Sequence, residues 1–314
     1  MSVEAAAKPA VAQSSLVVPQ ANDTTPPNAF TVDVEDYYQV GVFQERLKHE
    51  EWTGFESRVE RNLDVICEIL ERRGVKATFF VLGWLAERHP KAMRALADAG
   101  HEIGSHGYAH RPIWTMTPEE FRADLVRSLD AVGTATGRRP DLYRAPCFSI
   151  VPRTLWALDV LADAGVRFDS SIFPVNHPEY GIPGAERNVH RIRTPGGRTI
   201  WEFPMTTGRV MGKNVAFCGG GYFRLLPYWL VRKGLAKAEK TGHPFVFYMH
   251  PWEIDPDQPR LDDRAGRLGR FRHYVNLAKT RGRLEKLVAD FRLGTMGDVF
   301  RWFEARGARE VTYS

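Results

Sequence analysis

The strongest constraint on this chain is a repeating order of short apolar runs and helical stretches, with reactive polar residues placed where the apolar runs stop. Residues 29–34 read as a strand, and Glu35 and Asp36 follow at once. Between Arg58 and Arg73, Val59, Leu63, Ile66 and Leu70 recur at helical spacing, and Gly74 stands as the stop. Residues 75–82 are rich in β-branched and aromatic side chains and read as a buried strand, with a helix expected over 84–99. Residues 101–105 form a further short strand. Thr117-Pro118-Glu119-Glu120 offers a capping threonine, a proline at the first helical position and a glutamate at the third, so a helix runs on to about residue 135. Strands at 140–144, 166–169, 198–203 and 245–249, with a helix over 153–164, continue the alternation. A chain in this order folds as an α/β protein with mostly parallel strands. It shows no internal repeat.

The polar residues at the strand ends are Asp33 to Asp36, His106, Arg144, Asp169 and His250. In parallel α/β architectures the carboxyl ends of the strands form the site, so five separate segments converge on one mouth. His106 and His110 stand four apart, and on one helical turn or a tight loop both rings can point at one spot. Two imidazoles plus a carboxylate, with positions left for water, make a catalytic divalent-metal site. Along a strand Asp33 and Glu35 face one side and Asp36 the other, unless the strand has already ended. One of these acids binds metal while a neighbour serves as base. Each residue alone also has a plainer role: Asp33 to Asp36 as caps, Arg144 in a surface ion pair, Asp169 in a turn with Ser170 and Ser171. Their convergence, not any single position, favours chemistry.

Length and composition bound this reading without directing it. A chain of 314 residues exceeds the usual domain, yet α/β barrels commonly run to about 250 residues or more as one unit. Residues 1–28 lack aromatic residues and apolar periodicity and read as a disordered tail, leaving 29–314 as a single domain. The net charge of +5 concentrates at 260–310, which hold 13 Lys and Arg against 7 Asp and Glu. No nucleic-acid module or sharply amphipathic membrane helix accompanies that excess, so it reads as a solvated helical face. Three widely spaced cysteines fit no disulfide framework and favour a reducing compartment. The chain shows no signal-peptide run and no stretch of about 18 consecutive apolar residues, so a soluble, cytoplasmic protein is expected. Tyr37, Tyr38, Phe148 and Trp252 lie beside the strand ends, and Tyr37, Phe148 and Trp252 are taken to stack on the apolar faces of sugar rings. Cys147 reads as a small filler, and Gly219-Gly220-Gly221 as a tight turn with no phosphate-cradle signature.

Five segments together resemble the polysaccharide deacetylases of carbohydrate esterase family 4, the NodB-homology fold. They are Thr31-Val32-Asp33-Val34-Glu35-Asp36, Ser105-His106 through His110, Tyr143-Arg144-Ala145-Pro146, Phe168-Asp169-Ser170-Ser171 and Tyr248-Met249-His250-Pro251-Trp252, in the family's order. The resemblance is greatest to the branch of peptidoglycan deacetylases and cofactor-free allantoinases. It implies a deformed (β/α) barrel of about seven parallel strands, with a family-specific extension from about residue 250. It implies one divalent metal, zinc first, held by His106, His110 and an acid. The family's usual adjacent aspartates are here Asp33 and Val34, and the branch's acid-x-acid spacing makes Asp33 the base and Glu35 the ligand, with Asp36 as the alternative ligand. His250 would be the acid, Asp169 its orienting partner, and Arg144 the partner of Asp33. The segment 250–259 and the basic tail resemble deacetylases found with exopolysaccharide assembly systems, which implies an N-acetylated exopolysaccharide or its precursor as substrate and that machinery as partner. An allantoinase-like amide hydrolase and a non-catalytic glycan-binding or assembly module are the rival readings.

Overall fold

The protein is described here from a computed structural model, which covers residues 25–43, 46–261 and 264–313. The tail expected over 1–28 lies outside the described residues as far as residue 24. Its last position is already strand, because β1 spans Asn28–Val34.

Seven parallel strands make the centre of one sheet, in the order β10 (Val246–Met249), β1, β2 (Thr78–Val81), β3 (Glu102–Ser105), β4 (Leu142–Tyr143), β5 (Phe168–Asp169) and β7 (Thr199–Glu202). β6 (His190–Arg193) pairs antiparallel with β7, β12 (Glu310–Val311) extends the sheet beyond β6, and β11 (Leu293–Gly294) pairs with β1. A separate hairpin joins β8 (Thr207–Val210) and β9 (Lys213–Ala216). All seven positions of β1 are buried, as a central strand covered on both faces requires. This is the mostly parallel α/β architecture that the alternation predicts.

The helices are α1 (Val59–Glu71), α2 (Gly83–Arg88), α3 (Pro90–Asp98), α4 (Pro118–Thr136), α5 (Ala157–Asp163), α6 (Gly220–Leu225), α7 (Tyr228–Glu239), α8 (Arg267–Tyr274), α9 (Leu277–Asp290) and α10 (Met296–Arg306). In α1 the predicted stripe Val59, Leu63, Ile66 and Leu70 is buried, and it packs into the same core as Val32, Phe79 and Leu287. The cap of α4 forms as read: Glu120 N donates to Thr117 Oγ1 at 3.2 Å and Thr117 N donates to Glu120 Oε2 at 2.9 Å. The helix expected over 84–99 is two helices. Pro90 has no N–H to continue α2, so the chain breaks at His89 and Pro90 begins α3. The Gly219-Gly220-Gly221 turn also does more than turn, since α6 begins inside it. Gly219 sits at φ 151° and a Cβ there would meet the Tyr248 carbonyl oxygen at 1.9 Å, so only glycine lets α6 start against β10.

Candidate metal centre and active site

Strand register brings the predicted residues together. Val34 lies opposite Val81, Val81 opposite Ser105, Ser105 opposite Tyr143, Tyr143 opposite Asp169, and Asp169 opposite Glu202. The strands therefore end at one level, and Asp33, Glu35, His106, Arg144, Asp169 and His250 all sit at or just beyond it.

Glu35, His106 and His110 form a buried group whose ligand atoms all lie within 4.8 Å of one another. Glu35 Oε1 is 3.1 Å from His106 Nε2, 2.9 Å from His110 Nε2 and 3.7 Å from His250 Nε2. The Arg144 carbonyl lies 2.8 Å from His106 Nδ1. A carbonyl only accepts, so Nδ1 carries the hydrogen and Nε2 presents its lone pair to the group. The 106–110 segment is a loop, not a helical turn. Gly107 is at φ 75° and His110 at φ 52°, a left-handed conformation that costs a non-glycine residue on the order of 1 kcal/mol. It is held from α4, where Asp124 Oδ2 accepts from Tyr108 N at 2.8 Å and Ser128 Oγ donates to Gly107 O at 2.8 Å. Gly83 N, at the start of α2, also donates to Gly107 O at 2.9 Å.

Asp36 stands apart from this group, which corrects its place as the alternative ligand. The strand ends at Val34, and the Asp36 carboxylate turns toward the start of α1, accepting from Ser57 Oγ at 2.6 Å, Arg58 N at 2.9 Å and Tyr37 N at 3.0 Å. Glu35 is the acid that the fold brings to the histidines.

Asp33 belongs to a second buried cluster. Arg144 Nη1 donates to Asp33 Oδ1 and to Thr31 Oγ1, both at 2.7 Å, while Nε and Nη2 donate to Ser170 O at 3.1 Å and Ser170 Oγ at 2.9 Å. The guanidinium also lies over the Phe80 ring, 4.2 Å from its centroid. These contacts fix one rotamer of Arg144 and, through it, one position of the Asp33 carboxylate.

Asp169 does not reach His250, contrary to the expectation. Its Oδ1 accepts from Ser171 Oγ at 2.5 Å, and its other oxygen, like Glu202 Oε2, is buried with no further hydrogen-bond partner. Burial, the larger effect, pushes Asp169 up to about 6, and burial with the charge of Asp169 pushes Glu202 well above the usual carboxylate range. One proton shared between the two carboxyls satisfies both oxygens. The partner of His250 is instead Glu253, whose Oε2 accepts from His250 N at 2.9 Å and lies 3.2 Å from His250 Nδ1. Arg224 Nε donates to the other Glu253 oxygen at 2.7 Å. Burial opposes charge on His250, but Glu35, Glu253 and Asp33 outweigh it and hold the imidazole at about 9. Burial likewise raises Glu253, yet Arg224 and His250 bring it down to about 2. Glu35 is driven upward by burial and further downward by His110, His250 and His106, to well below the usual range.

Sequence reading missed Glu253, Arg224 and Glu202. Glu253 carried a signal: His250-Pro251-Trp252-Glu253 has proline at the first position of a turn and glutamate at the third, the pattern read correctly at Thr117. Arg224 and Glu202 carry no local mark. The aromatic residues expected to stack on sugar are corrected as well. Tyr37, Phe148 and Trp252 are 1%, 9% and 3% exposed. Tyr37 packs edge-on to Tyr38, Phe148 packs against Phe173 and Tyr248, and Trp252 lies between the rings of His250 and His273. All three rings are packed inside the protein rather than presented at its surface. At Cys147, burial, then the charges of Glu35 and Glu179, push the thiol up to about 12.

Residues 51–168 match the family described as polysaccharide deacetylase, and residues 170–301 match a family described as a domain of unknown function, DUF3473. The first stretch contains His106, His110 and Arg144, and the second contains Glu202, Arg224, His250 and Glu253. The chain is 29% identical over 164 residues to a peptidoglycan-N-acetylglucosamine deacetylase of Bacillus cereus, a match covering 43% of this chain and 60% of that protein. It is 29% identical over 117 residues to a peptidoglycan deacetylase of Helicobacter pylori, covering 37% of this chain and 39% of that one. These matches thus span between about two fifths and three fifths of the relatives' own length. A Mycobacterium smegmatis structure solved as a candidate polysaccharide deacetylase superposes with a TM-score of 0.57 at 19% identity, covering 92% of this chain and 96% of that one. That likeness shows the fold, the NodB-type (β/α) barrel.

Proposed function

We propose, for a chain that carries a polysaccharide deacetylase domain, that it is a divalent-metal-dependent hydrolase removing N-acetyl groups from a polysaccharide or its oligosaccharide precursor. The observation that carries this reading is the buried Glu35, His106, His110 group with both Nε2 atoms turned to one carboxylate oxygen. Two neutral imidazole nitrogens and one carboxylate oxygen suit zinc with positions left open, and the carbonyl behind His106 is the support such ligands need. A metal bound there by Glu35, His106 and His110 would lower the pKa of a water and polarise an acetamide carbonyl.

The protein's own groups do the proton work. Asp33, fixed by Arg144, accepts a proton from the attacking water as the new C–O bond forms. His250 gives a proton to the departing nitrogen as the C–N bond breaks, since an amide nitrogen leaves only as the amine. Acetate and a free amino sugar result. Residues 29–314 are read as one domain, because strands from both matched stretches join one sheet.

The relatives are named for peptidoglycan. The segment 250–259 favours an exopolysaccharide for this chain, and with it an association with exopolysaccharide assembly machinery. A cytoplasmic site of action is part of the proposal, supported by Cys67, Cys147 and Cys218 forming no disulfide among the described residues. No described helix is long and apolar enough to cross a membrane. The test is mass spectrometry of N-acetylated glycans incubated with metal-loaded protein, where loss of one acetyl per event is expected. Ureide turnover without acetate release would install the allantoinase-type rival. Metal binding with no turnover of either would leave a glycan-binding module.

A further inference from the structure

His250 and the residues that hold it come from the stretch whose family has no described function, and the geometry there is as tightly built as at the metal group. His250 begins a short turn at the end of β10, the strand beside β1. A single oxygen, Glu253 Oε2, accepts from the backbone N of His250 and lies within bonding distance of its ring Nδ1. The ring is thereby tied to its own main chain. Trp252 lies nearly parallel to it, with centroids 5.3 Å apart and planes 20° apart, and His273 stacks on the far face of Trp252 at 4.3 Å. Glu253 is held in turn by the fully buried Arg224, which also donates to His273 O at 2.7 Å and Val275 O at 3.1 Å. Arg224 reaches Glu253 because α6 starts against Tyr248, where Gly219 leaves room.

We propose that residues 170–301 supply the proton-donor side of the active site, with Glu253, braced by Arg224, as the positioning residue that aims His250 Nε2 at the metal group. The proposal rests on the deacetylase reading given above. Its physical content is that a carboxylate on Nδ1 leaves Nε2 as the nitrogen that faces the reaction, 3.7 Å from Glu35 Oε1. The plainer alternative, that Glu253 only caps the turn, affects stability and nothing else.

The experiment compares Glu253→Gln and Glu253→Asp with the wild type for turnover of an N-acetylglucosamine oligomer, bound metal, and the 15N-histidine NMR spectrum. Gln cannot accept from both His250 and Arg224, so kcat falls about 10–100-fold. KM stays within about twofold of wild type. Metal content is unchanged, because Glu35, His106 and His110 lie outside the altered network. Asp restores part of the loss. The wild-type spectrum shows a hydrogen-bonded Nδ1–H at His250 that Glu253→Gln loses. A Gln variant with wild-type kcat, or one whose loss follows loss of metal, overturns the proposal. If the wild type releases no acetate, the deacetylase reading fails alone. The NMR signature then decides: its presence sustains the positioning role of Glu253, and its absence in wild type ends it. Should the Gln variant not fold, the Asp variant and the wild-type spectrum carry the same decision.

Discussion

At the scale of the residue, the account turns on charges that the fold has buried in fixed company. Arg144 is fully buried, and its ionic partner is Asp33. Removing one member of such a pair strands the other in a low dielectric, at a cost of about 3–5 kcal/mol. Arg144→Ala should therefore lower the unfolding free energy measured by denaturant titration by an amount in that range, a far larger change than truncating an exposed arginine such as Arg122. Asp33→Asn keeps the shape and removes the proposed base, and kcat should fall by about 10²- to 10⁴-fold. Metal content should hold, since Asp33 is not among the grouped ligands. A loss of less than tenfold, measured by acetate release, would show that another group takes the proton.

At the scale of the element, two pairings deserve measurement. β5 and β7 set Asp169 opposite Glu202, and both carboxyls are raised. A folded-state pKa above the unfolded value means the native state holds a proton that the unfolded chain gives up. The stabilisation is complete below about pH 4, begins to be lost as pH rises through about 6, where Asp169 gives up its proton, and is lost further at higher pH, where Glu202 follows. Urea midpoints should fall across that window, and Glu202→Gln, which removes the competing acid and supplies a permanent donor, should flatten the fall. An unchanged slope would mean that no proton is shared. The other pairing is α6 against β10. Gly219→Ala forces a Cβ onto the Tyr248 carbonyl, and the strain, on the order of 1–3 kcal/mol, should lower the thermal midpoint. Because α6 carries Arg224, turnover should drop with it.

At the scale of the whole molecule, the alternation of periods was enough to place all seven of the parallel strands and helices such as α1 and α4, since burial on one helical face or through a strand leaves a clear pattern in residues such as Val59, Leu63 and Ile66. It was blind to β6, β8 and β9, which are short and half exposed and whose pattern is set by neighbours rather than by a core. The grouping of Glu35, His106 and His110 was legible because all three lie beside strand ends and within short sequence spans. Glu253 in place of Asp169 was not, because which carboxylate meets His250 depends on how β10 and α6 pack. The two matched stretches contribute strands to one sheet, and around the Glu35 carboxylate oxygen the first supplies His106 and His110 and the second His250. The claim that this centre is a metal-dependent deacetylase is tested most directly by stripping the protein with a chelator and following acetate release as zinc is titrated back. The account predicts loss of activity on stripping, its return at one equivalent, and no return in His106→Ala. Full acetate release from stripped protein, or recovery in His106→Ala equal to wild type, would contradict it.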